Sequence, residues 1–185
     1  MRLAFLLAAA TLLATPAIAQ DALKFPEKLD AKAAGYQAVI ADTGPVYVAG
    51  QPSEQAVRDL KAKGVKTIIN LRTQTEMDNR KQVPFDEAAL AKELGINYVH
   101  VPLGGPDTPY TPAAVEKVAD AIAKADGDVL LHCTVGWRAS HMWAAYLVKH
   151  KGLSEEEAIK QASAINFGGY TPPDGKLPID LLLGK

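Results

Sequence analysis

A single cysteine, Cys133, stands in 185 residues. No disulfide can close within the chain, so its fold must rest on a hydrophobic core. Charge of one sign is missing as well: 20 Lys and Arg face 21 Asp and Glu, a net charge of −1. A balance of this kind excludes the basic footprint of nucleic-acid binding and the polybasic attraction to anionic membranes. After the first 20 residues no apolar run approaches the roughly 20 residues that a membrane-spanning helix needs. Internal repeats and low-complexity blocks are also absent. His141 and His150 lie nine residues apart on one predicted helix, a poor spacing for sharing a metal ion, and neither a metal site nor a cofactor is expected.

The one long apolar stretch lies at the start. Met1-Arg2 supplies a positive charge, Leu3 to Leu13 is almost unbroken in its apolarity, and Ala17-Ile18-Ala19 has the small-x-small pattern that signal peptidase reads. Residues 1–19 are therefore expected to be a secretory signal peptide, which leaves a periplasmic or secreted protein with no membrane attachment once it is cleaved. The remainder suits one domain with a proper core: an extension over 20–43, a domain over 44–167 and a tail over 168–185. A lone thiol kept in an oxidising compartment points to use. The alternative is a buried cysteine acting as a small hydrophobe.

From residue 46 onward, strands and helices alternate. A helix is predicted around Ala31 to Ile40, then a strand at Val46–Val48 and a helix over Glu54–Lys63, capped by Ser53 and ended by Gly64. The β-branched run Val65–Leu71 reads as a buried strand, followed by a polar loop to Pro84. A helix over Asp86–Leu94, a strand over Ile96–Val101 and a helix from Thr111-Pro112 to about Ala125 come next. Asp128–His132 is a strand, Arg138–His150 a helix, and Ser154 with Glu157 starts a last helix that runs to about Asn166. The tail reads as irregular, with Ile179 to Leu183 packing back on the body. Such alternation predicts an α/β fold, a central and mainly parallel sheet with helices on both faces. In such sheets ligands bind beyond the carboxyl ends of the strands.

Cys133 falls at one of those ends. Between the strand ending in His132 and the helix starting at Arg138, residues Thr134, Val135, Gly136 and Trp137 form a tight loop whose N–H groups should converge above the helix N-terminus. That field attracts an oxyanion and stabilises a thiolate. Gly136 permits the sharp turn, and Arg138 adds a planar fork of donors suited to two oxygens. His132 reads as a support for the loop, Arg72 as extra positive charge at the same sheet edge or the partner of a loop carboxylate, and Trp137 as a wall of the pocket. Met142, Trp143 and Tyr146 read as core contacts.

These residues carry a resemblance. His-Cys-x-x-Gly-x-Arg at 132–138, with "VYVAGQPSEQAVRDLKAKGVKTIINLR" upstream and "INYVHVPLGG" between, resembles the bacterial phosphatase-like domain also found attached to β-lactamase-like hydrolases. That family is similar to the dual-specificity members of the protein tyrosine phosphatase superfamily. The resemblance spans roughly Gly44 to Phe167. It implies a cysteine-phosphatase fold with Cys133 as nucleophile, Arg138 as oxyanion clamp, and an acid on the loop after the preceding strand, where Asp107 lies. The phosphatase signature has five residues between Cys and Arg, whereas four stand here and Ala139 occupies the position of that arginine. Straight after Arg138, where phosphatases tend to place a hydroxyl, the chain has Ala139, with Ser140 one step later.

Three functions follow. In the first, a cysteine-dependent phosphatase-like hydrolase attacks a phosphate ester with Cys133 and protonates the leaving group from Asp107. In the second, the short loop, whose spacing is also that of rhodanese sulfurtransferases, accepts sulfane sulfur from a donor as a persulfide on Cys133 and passes it to a thiol acceptor. In the third, the loop binds a small oxyanion without turning it over.

Overall fold

The computed structural model describes residues 23–172 and 175–185. The signal peptide expected over 1–19 lies outside the described residues. Six strands form one sheet: β1 (Glu27–Lys28), β2 (Ile40–Asp42), β3 (Val46–Ala49), β4 (Val65–Asn70), β5 (Asn97–His100) and β6 (Asp128–His132), in the order β1-β2-β3-β6-β4-β5. β3, β6, β4 and β5 run parallel, while β2 pairs antiparallel with β3 and β1 antiparallel with β2. The sheet is thus mainly parallel, and β6, which leads into Cys133, lies at its centre.

The described residues also form seven helices: α1 (Glu54–Ala62), α2 (Gln74–Asp78), α3 (Glu87–Leu94), α4 (Pro112–Ala123), α5 (Trp137–Lys151), α6 (Glu155–Ser163) and α7 (Pro178–Leu183). Their packing follows the alternation of strand side chains. Val46, Val48, Ile69, Val129 and Leu131 point to the face covered by α4, α5, α6 and α7, while Ala49, Val65, Ile68 and Leu130 point to the face covered by α1 and α3. α5 is buried from Ala139 through Leu147, as befits a helix enclosed by the sheet, α4, α6 and α7. Met142, Trp143 and Tyr146 all lie in that core.

Three elements differ from the reading of the sequence. No helix forms over residues 31–40. Asp30–Gly35 is a series of turns, Ala38 adopts a left-handed φ of 62°, and Ile40 begins β2, so the stretch expected as an extension adds two short strands, β1 and β2, to the sheet. The polar loop before Pro84 contains α2, started by a reciprocal capping box between Thr73 and Glu76. The tail beyond residue 177 is helical, with Pro178 in its first turn and Gly184 at its left-handed end. Ile179 and Leu182 are buried against the body, as expected of that segment.

Candidate active site

The strands β3, β4, β5 and β6 end side by side, and the segments that follow them are bonded into one layer. Cys133 N–H donates to Ala49 O at 3.2 Å, Gln51 N–H to Thr134 O at 2.9 Å, Leu71 N–H to His132 O at 2.9 Å and Leu103 N–H to Leu71 O at 3.0 Å. The residue after each strand is therefore delivered to the same edge. Cys133 is the free thiol there, 1% exposed.

Gly136 closes the turn with a φ of 84°, and an added Cβ would lie 2.4 Å from Val39 Cγ1. It stands at the N-cap of α5 and has no side chain to cap the helix. The N–H groups of Trp137, Arg138 and Ala139 consequently have no acceptor within the helix, and the positive end of a 15-residue helix opens beside the thiol. Ser140 Oγ donates to Gly136 O at 2.8 Å and accepts from Asn166 N–H at 3.2 Å, while Asn166 Nδ2 donates to Val135 O at 2.7 Å. Ser140 thus braces the loop from behind.

Arg138 lies alongside, with its fork occupied by the protein. Its Nη atoms donate to both oxygens of Glu76 at 2.6 and 2.8 Å, to Thr134 Oγ1 at 2.9 Å and to Leu103 O at 2.8 Å. Thr134 Oγ1 in turn donates to Glu76 Oε1 at 2.7 Å. Burial pushes the Glu76 carboxyl up, but hydrogen bonds from Arg138, the Thr73 N–H and Thr134 outweigh it and hold the group at about 2. Burial likewise pulls the Arg138 guanidinium down, and the Glu76 bonds lift it above its usual value.

Arg72 is entirely buried. Its Nη1 donates to Gln51 Oε1 at 2.7 Å and its Nη2 to Gln82 Oε1 at 3.3 Å, while Nε, 3.7 Å from Glu76, makes no hydrogen bond. Burial lowers its pKa, Glu76 opposing and Arg138 adding to the fall. Arg72 thus lies at this edge with the Glu76 carboxylate 3.7 Å from its Nε.

A second layer lies beneath the loop. His132 and Glu87 are fully buried, with Nε2 and Oε1 2.8 Å apart, and His132 Nδ1 is 3.4 Å from Cys133 O. Gln51 Nε2 donates to the other Glu87 oxygen, and Asn70 Nδ2, which also donates to Tyr98 Oη, lies 3.5 Å from Oε1. Burial pushes Glu87 up, yet His132, Gln51 and Arg72 hold its pKa below the ordinary carboxylate value.

The remaining predicted residues are more dispersed. Asp107 is exposed on the turn between Gly104 and Thr108, lining a cavity of about 230 Å³ with His100, Thr108 and Lys117. Trp137 is the first residue of α5, its ring edge-on to His141 at 4.7 Å and to Tyr170 at 5.3 Å. Val135 and Tyr170 are exposed beside it. Glu76 and Glu87 were not singled out from sequence; the Thr73-x-x-Glu76 capping box was the signal available for the first, and Glu87 had none beyond a helix first turn.

This fold and edge define a class, that of the dual-specificity and protein tyrosine phosphatases. PTPMT1, solved in complex with PI(5)P, superposes with a TM-score of 0.60 at 21% identity, over 75% of this chain and 87% of that one. The chain belongs to the family described as DSP-PTPase phosphatase fused to NAD+ kinase, whose model matches residues 35–174. The kinship with β-lactamase-hydrolase-like proteins is also borne out. The protein of that description from Xylella fastidiosa (strain Temecula1) is 32% identical over 123 residues, 65% of this chain, and that from Agrobacterium fabrum 34% identical over 121 residues, again 65%. The chain spans 28% and 26% of their respective lengths.

Proposed function

We propose that the protein is an exported cysteine-dependent phosphatase acting on a phosphate ester. The observation that carries this reading is the placement of the free thiol of Cys133 at the end of β6, in the short loop that leads into the uncapped N-terminus of α5 with Arg138 in its first turn. The Cys133 thiolate attacks phosphorus, the ester P–O bond breaks, and the leaving oxygen takes a proton. Loop amides bind the equatorial oxygens of the transferring group, and the positive charge of Arg138 stabilises them. Asp107, the one carboxylic acid between Leu103 and Tyr110, supplies the proton. Water then cleaves the phosphocysteine, which returns the thiolate and releases inorganic phosphate.

The test is phosphate release from an aryl phosphate, followed together with the intact mass of the protein. Cys133→Ser is expected to abolish release. Asp107→Asn is expected to slow esters with poor leaving groups by about 10²–10⁴-fold, the usual contribution of a general acid. Unchanged rates on such esters would remove Asp107 from the mechanism.

One observation favours a second reading, sulfur transfer. Glu76, Thr134 and Leu103 occupy the Arg138 fork, so backbone amides are the principal donors left in a loop one residue shorter than the phosphatase signature. Here the thiolate takes the sulfane sulfur of thiosulfate, sulfite leaves, and the persulfide passes to an acceptor thiol. A sulfur-sized mass gain that requires Cys133, without phosphate release, selects this reading.

A further inference from the structure

The segment from Leu103 to Tyr110 is tied to the start of α5 by the bond from Arg138 to Leu103 O. Within it, Gly104 N–H donates to Thr108 O at 2.8 Å and Thr108 Oγ1 accepts from Gly105 N–H at 3.0 Å, which folds the turn back on itself. Asp107 lines a cavity with His100 and Lys117. Tyr110 ends the turn. A Cβ placed on Gly104 would meet Tyr110 Oη at 2.8 Å and Arg138 Cδ at 3.6 Å, so the phenol oxygen rests over Gly104 next to the Arg138 side chain. A side chain at Gly104 would exclude the hydroxyl from this place. Among the described residues, Tyr110 Oη has no hydrogen-bond partner, and it is not sealed from solvent.

The charges of the site reach this oxygen. Burial pushes the phenol up to about 12; Arg138 pulls it back, and the charges of Cys133 and Glu76 add to the rise. It therefore stays protonated through any working pH, as a neutral donor with no competing acceptor. The Nη donors of Arg138 are bonded to Glu76, Thr134 and Leu103 O, whereas no such partner holds this O–H.

We propose that Tyr110 is an oxyanion-binding residue, its Oη–H donating to an oxygen of the group held above Cys133. The proposal rests on the cysteine loop being the oxyanion site. It assigns Tyr110 a contact with substrate that the cysteine motif does not supply. A hydrogen bond to a charged oxygen contributes about 1.5–3 kcal/mol, so its loss should weaken binding by roughly 10–100-fold.

Calorimetric titration with inorganic phosphate tests this without requiring turnover. Wild type is expected to bind, and Tyr110→Phe, which keeps the ring, to bind at least about tenfold more weakly with an unchanged unfolding midpoint. Gly104→Ala, whose methyl displaces Oη while leaving the phenol intact, should show the same loss and guards against a misfolded Tyr110→Phe protein. Equal phosphate affinity in wild type and a folded variant of either kind overturns the role of Tyr110 and leaves the phosphatase reading standing. If wild type binds no phosphate and releases none from an aryl phosphate, the oxyanion site itself is refuted, and the assignment of Tyr110 with it.

Discussion

At Glu76 one carboxylate answers two guanidinium groups and a threonine hydroxyl, and fixes Arg138 in a single pose. Its depressed pKa makes that pose pH-dependent. With the folded value at about 2 and the ordinary value near 4.5, Glu76 stabilises the fold fully above pH 4.5, and the contribution is lost as pH falls toward 2. Acid unfolding of Glu76→Gln should therefore depend less steeply on pH than wild type across this window. Parallel curves would mean that Glu76 gains nothing from its partners. Glu87 is the more severe site. Removing it leaves the Gln51 amide and the His132 ring buried without the carboxylate they contact, and Glu87→Ala is expected to cost about 3–5 kcal/mol in urea unfolding. A cost below about 1 kcal/mol, typical of an exposed pair, would show that these buried groups find other partners.

Among the elements, those with a clear periodicity and caps were legible. α1, α3 and α4 start at Ser53, Asp86 and Thr111, as their cap chemistry indicates, and β4 and β6 are the β-branched and apolar runs that the sequence displays. α2 was not, because five residues with Met77 as their one buried side chain give no helical stripe to read. That omission hid Glu76 from the sequence reading. The segment 31–40 is rich in alanine and mimics a helix, but Gly35 and Ala38 take left-handed angles and the chain turns into the sheet. Tyr110 and Glu87 become site residues only once separate strand ends meet, which no local pattern encodes. The cysteine loop was legible as an element, and its geometry depends on Gly136. Gly136→Ala meets both a positive φ and the Val39 side chain, and should cost about 1–2 kcal/mol from the backbone alone, with a loss of any Cys133-dependent activity. Activity retained at wild-type level would mean that the loop tolerates a different turn.

At the level of the whole molecule, the two faces of the sheet do different work. α3, packed beside α1, carries Glu87 up to the strand ends, while α4, α6 and α7 enclose α5, whose N-terminus follows the Cys133 loop. α7 completes that enclosure from the end of the chain. Removing residues 178–185 uncovers the sites of Ile179 and Leu182, and the loss of two buried aliphatic side chains is expected to cost about 3–6 kcal/mol. A thermal melt of the truncated protein checks this, and an unchanged midpoint would make α7 a passive appendage.

The paired placement of Glu76 with Arg72 and Arg138 also governs how the site meets its ligand. Glu76 bonds Arg138 through both oxygens and lies 3.7 Å from Arg72, whose charge Glu87 also opposes, so two negative side chains balance two positive ones before anything arrives. Such a site exerts little long-range pull on an anion in solution and captures it through aimed donors at contact distance. Association should then be nearly indifferent to ionic strength, in contrast to an enzyme that draws in its substrate through a surplus of positive field.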